Sequence, residues 1–257
     1  MPTRERTIRA EGIVLRHSDW GEADRLLVIF TRELGKVRAI AKGVRKPRSR
    51  KAGHLEPFTR VNLMLAKGRD LYIITQAVAV DAYLPLREDL LLFGYASYIV
   101  ELLDRFTLDG DENPSIYSLV VTTIKRLSER EDRFLVVHYY EIRLLDLIGY
   151  RPELNNCVIC GRKIQPENQF FSNELGGVIC PACNREDVRD RPVSLDALRF
   201  LRHYQRSAYR EARRASISAS VREEIEAIMQ SYLTYLLERS LNSPSFLRRM
   251  LREDDSK

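Results

Sequence analysis

Four cysteines in two matching pairs carry the most specific chemistry in this sequence. CVIC places Cys157 and Cys160 two residues apart, CPAC does the same for Cys180 and Cys183, and 19 residues separate the pairs. Two intervening residues let both sulfurs of a pair turn toward one point, and four thiolates about 2.3 Å from a common centre match tetrahedral zinc. An iron centre takes the same spacing, and two free dithiols are the plain alternative. The intervening segment can bring the pairs together: FFS runs out, Gly176 and Gly177 turn, and VIC returns. Sulfur fills all four positions and leaves no open coordination site, so the expected role is structural Zn2+. The histidines His17, His54, His138 and His203 are scattered and read as surface or packing residues.

A second chemistry lies in AKGVRKPRSRKAG, residues 41–53, which carries Lys42, Arg45, Lys46, Arg48, Arg50 and Lys51 and no acid. Such a loop is either a solvated linker or a surface for polyanions, and the distribution of charge favours the second. The 257-residue chain has a formal net charge of +6, yet residues 1–80 hold 17 basic against 8 acidic side chains and the remainder 25 against 28. The positive excess therefore belongs to the first part alone, as expected for a nucleic-acid contact confined there. Arg9, Arg16 and Arg38 on neighbouring strands extend the patch. Cations on a loop neutralise phosphates and gain affinity from released counterions without reading bases. Phe30, Phe58 and Tyr72 read as core-filling aromatics, whereas Trp20, between Asp19 and Gly21, is a lid on the barrel end or a contact.

Signs of catalysis are absent from the sequence. It holds no GxxxxGK[ST] loop, HExxH or GxSxG, and the acid pairs Glu223–Glu224 and Asp254–Asp255 read as solvated. No apolar run approaches the roughly 20 residues that span a bilayer. The opening MPTRERTIRAEG lacks the apolar core of a signal peptide, so the expected location is cytoplasmic, away from membranes.

These residues need elements to position them. Five runs between Thr7 and Val80 are rich in Val, Ile, Leu and aromatics, alternate with a period near two, and are separated by turns at Gly21, Gly35, the basic loop and Gly68. They predict a small all-β domain over residues 1–80: a closed barrel, a small sandwich or a Tudor-like barrel. After Pro85 the period becomes helical, over 89–106, after Pro114, over 132–149, from Ser194, and over 221–240 with Val221, Ile225, Ile228, Tyr232, Tyr235 and Leu236 on one face. Residues 81–257 thus read as a helical domain, interrupted at about 153–190 by the cysteine module.

Several pieces occur in a recognisable order. GIVLRHSDWGEADRLLVIFTRELGKVRAIAKGVRKPRSRKAGHLEPF, then IGYRPELNNCVICG and the second CPAC, resemble the bacterial DNA repair and recombination-mediator family RecO. The resemblance implies a multidomain chain, an N-terminal five-stranded OB-type β-barrel followed by an all-α domain with an inserted four-cysteine zinc ribbon or knuckle. It also implies a protein that binds single- and double-stranded DNA, anneals complementary strands, works with RecR, and helps RecA displace single-stranded DNA-binding protein. None of this requires nucleotide hydrolysis. Some members of the family have lost part of the cysteine set, and here all four are kept. Arg126, Arg143, Arg202 and Arg206 are expected to be exposed cations able to receive the acidic tail of the single-stranded DNA-binding protein. Two other readings are an RNA-binding accessory factor with a zinc ribbon and a non-catalytic scaffold whose loop meets acidic side chains.

Overall fold

Five strands form a closed barrel: β1 (Thr7–Trp20), β2 (Asp24–Thr31), β3 (Gly35–Ala41), β4 (Arg60–Lys67) and β5 (Tyr72–Asp81), in the order β1-β2-β3-β5-β4. The computed structural model describes residues 7–184, 190–238, 241 and 243. Long β1 closes the barrel by serving two neighbours: Thr7–Ile13 pairs with β4 and Gly12–Trp20 with β2. An irregularity between Val14 and Arg16 bends it between the two tasks. Alternation does the rest, turning Ala10, Val14, Leu27, Ile29, Val37, Leu63, Leu65 and Ile74 into one core. Val44 and Leu55, at the two ends of the basic stretch, join the same core, and a 3-10 turn at Ala52–His54 precedes Leu55. The basic loop is therefore pinned to the barrel at both ends.

Short α1 (Pro85–Glu88) leads to α2 (Leu90–Phe106) and α3 (Pro114–Ser128), and then to α4 (Arg133–Leu147). Each of the three longer helices starts where the sequence offers a cap: Asp89 accepts from the Leu91 and Leu92 amides, Asn113 from Ile116, and Asp132 from Leu135. Ser194 and Ser218 cap α5 (Leu195–Arg206) and α7 (Ala219–Leu237) in the same way, with short α6 (Tyr209–Ala212) between them. On α7 the buried residues are Ile225, Ile228, Met229, Tyr232 and Leu233, while Tyr235 is exposed. The apolar face thus lies rotated from the expected one, because Tyr232 and Leu233 fill the inward positions ahead of Tyr235 and Leu236. Asp254, Asp255 and the expected end of that helix at 239–240 lie outside the described residues.

Between α4 and α5 lies a three-stranded sheet, β7-β6-β8, of β6 (Gln169–Ser172), β7 (Gly177–Ile179) and β8 (Arg191–Val193). The β6–β7 hairpin is the expected one, with Phe171 opposite Val178 and Ser172 opposite Gly177. The third strand is additional: Pro192, which reads as the lead-in to a helix, sits opposite Phe170. Residues 185–189 of the expected cysteine module lie outside the described residues.

The chain divides into two compact units, residues 1–131 with 242–257, and residues 132–241. Helices α2 and α3 therefore belong to the same unit as the barrel, beyond the boundary at residue 80 that the change of period marks. Among the described residues no helix is long and apolar enough to cross a membrane.

Candidate nucleic-acid interface and metal centre

The basic loop leaves β3 at Ala41 and is tied at once to the β1–β2 turn. Gly43 N donates to Asp24 Oδ1 at 2.7 Å, and Arg45 N donates to Ala23 O at 2.9 Å. The Arg45 guanidinium adds an ion pair with Asp19 at 3.2 Å and a long bond to Gly21 O. Asp19 and Asp24 are residues that sequence reasoning missed as parts of this site, because acids in a basic region register only as lost charge.

Beyond that anchor the cations differ in kind. Lys42, Lys46, Arg48 and Arg50 are exposed, and none of the four has an acidic partner among the described residues. Lys51 instead folds back, donating to Ile74 O at 3.1 Å and Lys42 O at 3.4 Å, and burial lowers its pKa despite nearby Asp24. Its ammonium closes the loop. Lys36, on β3 ahead of the basic loop, is buried: it donates to Asp104 O, Asp104 Oδ1 and Thr107 O at 2.6, 3.0 and 2.7 Å. It holds β3 to α2 and is no part of a surface.

The strand arginines separate as well. Arg16, Val28 and Arg38 lie in one transverse row across β1, β2 and β3, which sets the two arginines about 10 Å apart on the outer surface. Arg16 also pairs with Asp104 of α2 at 3.1 Å, while Arg38 is exposed. Both lie within three or four residues of the turn and loop. Arg9 is exposed too, but seven residues further back along β1, roughly 23 Å from Arg16. The structure thus brings Arg16, Arg38 and the loop to one half of the barrel and leaves Arg9 toward the other end.

The remaining aromatics and histidines behave as packing groups. Phe30 and Phe58 are buried, the latter edge-on to Phe93 at 5.3 Å. His17 meets Glu56, His54 accepts from Ala79 N, His138 meets buried Glu141 at 2.6 Å, and His203 meets Ser207. Two arginines expected as exposed receivers are also engaged within the second unit. Arg143 donates to Gln205 O at 3.0 Å, and Arg202 donates to Leu154 O at 2.7 Å, with burial lowering its pKa.

The cysteine pairs are brought together by backbone. Glu153 N donates to Gly176 O, and Val178 N donates to Glu153 O, so the approach to the first pair runs beside β7. Gly177 is required there: a Cβ would lie 2.5 Å from Glu153 O and 2.6 Å from Val158 Cγ1. Cys157 N then bonds Arg162 O, Gly161 N bonds Cys157 O, and Gly161 takes the left-handed conformation at φ 72° that tightens the first knuckle. The second turns through the amides of Cys183 and Asn184 on Cys180 O.

All four sulfurs lie within 4.8 Å of one another, an arrangement able to hold a metal ion. Cys160 Sγ and Cys180 Sγ are 3.9 Å apart, against about 3.8 Å for thiolates in a tetrahedron with 2.3 Å bonds. Burial opposes the Cys157 thiolate, but the amides of Cys160, Cys180 and Ile159 outweigh it and lower its pKa. Hydrogen bonds from the Arg162 backbone and side chain bring Cys160 down to about 6, while Cys183, sharing protons with Cys160 and Cys180, is pushed up to about 12. Four sulfurs this close cannot all ionise alone, and a divalent cation would supply the missing charge. The donor set fits a thiolate-bound metal.

Comparison with known proteins agrees with the order of these parts. Residues 5–83 match the family model described as Recombination protein O N terminal, and residues 87–245 match Recombination protein O C terminal. The chain is 41% identical over 252 residues to the DNA repair protein RecO of Roseiflexus sp. (strain RS-1), covering 97% of this chain and 89% of that protein. It is 36% identical over 242 residues to the protein of that name from Pelotomaculum thermopropionicum, covering 94% and 93%. With the protein of that name from Dehalococcoides mccartyi the identity is 33% over 237 residues, covering 92% and 93%. The chain belongs to the RecO family of DNA repair and recombination proteins.

Proposed function

We propose that this protein is a non-catalytic mediator of DNA repair and recombination, which holds single- and double-stranded DNA on the basic half of its barrel. The observation that carries the reading is the group Lys42, Lys46, Arg48 and Arg50, exposed and without acidic partners among the described residues, on a loop pinned at both ends. A fixed platform of solvent-facing cations grips phosphates and ignores base identity. Annealing of complementary strands needs that tolerance, since the backbones must be held while base edges stay free to pair. Arg16 and Arg38 lengthen the track, and Arg45 orients the loop through Asp19. No covalent bond of the DNA is made or broken in this reading.

Family membership supports extending it to partners: RecR, RecA, and the single-stranded DNA-binding protein that coats the strands. In the second unit the reading assigns Zn2+ to Cys157, Cys160, Cys180 and Cys183, where the ion supplies a cross-link between two knuckles. Its role is to give order to the ribbon and involves no chemistry on a substrate.

The test is a salt series. Reversing Lys42, Lys46, Arg48 and Arg50 to glutamate should weaken binding to unrelated DNA sequences about equally. Each lost phosphate contact should flatten the log K versus log salt plot by about 0.9 on duplex and about 0.7 on single strands. Arg45 is left in place, because a glutamate there would face Asp19 and disturb the turn. An unchanged slope, with a native circular dichroism spectrum, would remove the loop from the DNA site.

A further inference from the structure

Trp20 is the chain's one tryptophan, and it stands at the end of β1 with 53% of its surface exposed. An indole serving as a lid on the barrel would be buried, and this one is not. No aromatic or cationic side chain covers its ring among the described residues. Its surroundings are fixed, however. Asp24, its cross-strand partner, holds the Gly43 amide, Ala23 O holds the Arg45 amide, and Asp19 and Gly21 O hold the Arg45 guanidinium. Residues on both sides of Trp20 thus carry the start of the basic loop, and the exposed ring stands on the strand end to which that loop is tied.

A flat apolar ring on the strand end that anchors a loop of exposed cations matches one kind of ligand, a nucleotide whose base is not stacked in a duplex. The loop takes the phosphate and the ring takes the base face. Every base has such a face, so the contact is indifferent to sequence. A duplex keeps its bases stacked and offers the backbone alone. We propose that Trp20 is a base-stacking platform, through which this end of the barrel favours unpaired strands over duplex. The inference rests on the DNA-binding reading above and adds to it a source of strand selectivity.

Because there is a single tryptophan, the full-length protein reports on the contact directly. Titration with oligothymidylate should quench its fluorescence, and a duplex of the same length should bind with little change. Trp20→Ala should lower affinity for the single strand about tenfold, within the range of one lost base–aromatic stack. Duplex affinity should stay within twofold, and the salt slope should be unchanged, since no phosphate contact is lost. Trp20→Phe should recover most of the loss. Unchanged fluorescence on single-strand binding, with Trp20→Ala indistinguishable from the parent, would overturn the inference and leave the ring for a protein partner. An equal loss on both DNA forms would overturn it too, by showing that Trp20 only positions the turn. Failure of the DNA-binding reading itself looks different: the parent protein would show no salt-dependent DNA affinity at all.

Discussion

At the scale of single residues, a cation's position in the basic run says little about its task. Lys36 and Lys46 lie in one acid-free stretch, residues 36–51, yet one is buried against three oxygens of α2 and its C-terminal turn while the other stands in solvent. The acceptors of Lys36 lie 68 and 71 residues away, so no local pattern reveals them. Asp104, gripped by both Lys36 and Arg16, carries the pH dependence of this junction. Burial pushes its pKa up, but hydrogen bonds from Lys36 and then Arg16 outweigh it, and the net direction is down. A folded carboxylate held below its unfolded value near 3.9 stabilises the fold above that pH and loses the contribution as pH falls through the folded value. Asp104→Asn should therefore lower stability at neutral pH and flatten the acid limb of a stability–pH curve below about pH 4. Lys36→Met should be the more damaging change, by about 3 kcal/mol, because it leaves two carbonyls without their donor and Asp104 with Arg16 alone. Urea melts at pH 7 and pH 3.5 check both, and an Asp104→Asn curve parallel to the parent's would refute the assignment.

At the scale of elements, much was legible because the signals are local. The five strands are marked by alternation and glycine turns, and helix starts by residues such as Asp89, Asp132 and Ser194, each of which caps its helix through its own side chain, whereas α7 begins two residues ahead of the expected Val221, capped by Ser218. The two CxxC pairs and the Gly176–Gly177 turn were enough to expect a thiolate cluster. Less legible were β8, whose Pro192 disguises a strand, and the inward face of α7, which is chosen by packing. Part of that packing is Phe171 of β6, edge-on to Tyr232 at 5.4 Å. The same contact refines what metal removal should do. Phe171, Val178, Ile179 and Val193 are buried, so the strands have an apolar core, whereas Cys160, Gly161, Arg162 and Lys163 at the first knuckle are exposed. Chelation, or Cys157→Ser, should release a bound metal and make the bonds after Arg162 and Lys163 early sites for trypsin. DNA affinity should fall only modestly, since the free cations lie in the barrel unit. Elemental analysis and timed proteolysis followed by mass spectrometry read the outcome. A preparation with well under one zinc per chain and an unchanged digestion pattern would count against a structural metal.

At the scale of the whole molecule, the compact unit that holds the barrel runs on past the last strand. Residues 1–131 cluster with the barrel, and several bonds show why. Lys36 ends on α2, Phe93 of α2 packs edge-on to Phe58, and the Tyr117 hydroxyl of α3 donates to Glu11 Oε1 at 2.9 Å. Glu11 in turn holds Arg60, which reaches Asp81, so strands β1, β4 and β5 share one polar network with α3. A fragment cut at residue 80 would leave Lys36 without its acceptors, Glu11 without the tyrosine, and Phe58 open to water. Losing these contacts and opening apolar surface such as Phe58 to water costs several kcal/mol together, comparable with the whole stability of a small domain. The fragment 1–131 keeps all three contacts. It should unfold cooperatively in urea and bind DNA with the same salt slope as the full chain, because Lys42, Lys46, Arg48 and Arg50 are all retained. The fragment 1–80 should melt broadly or aggregate, and any DNA affinity it shows should come without a cooperative transition. If 1–80 proved as stable as 1–131, the contacts with α2 and α3 would be incidental to the barrel. The DNA-binding unit would then end at the boundary that the change of sequence period marks.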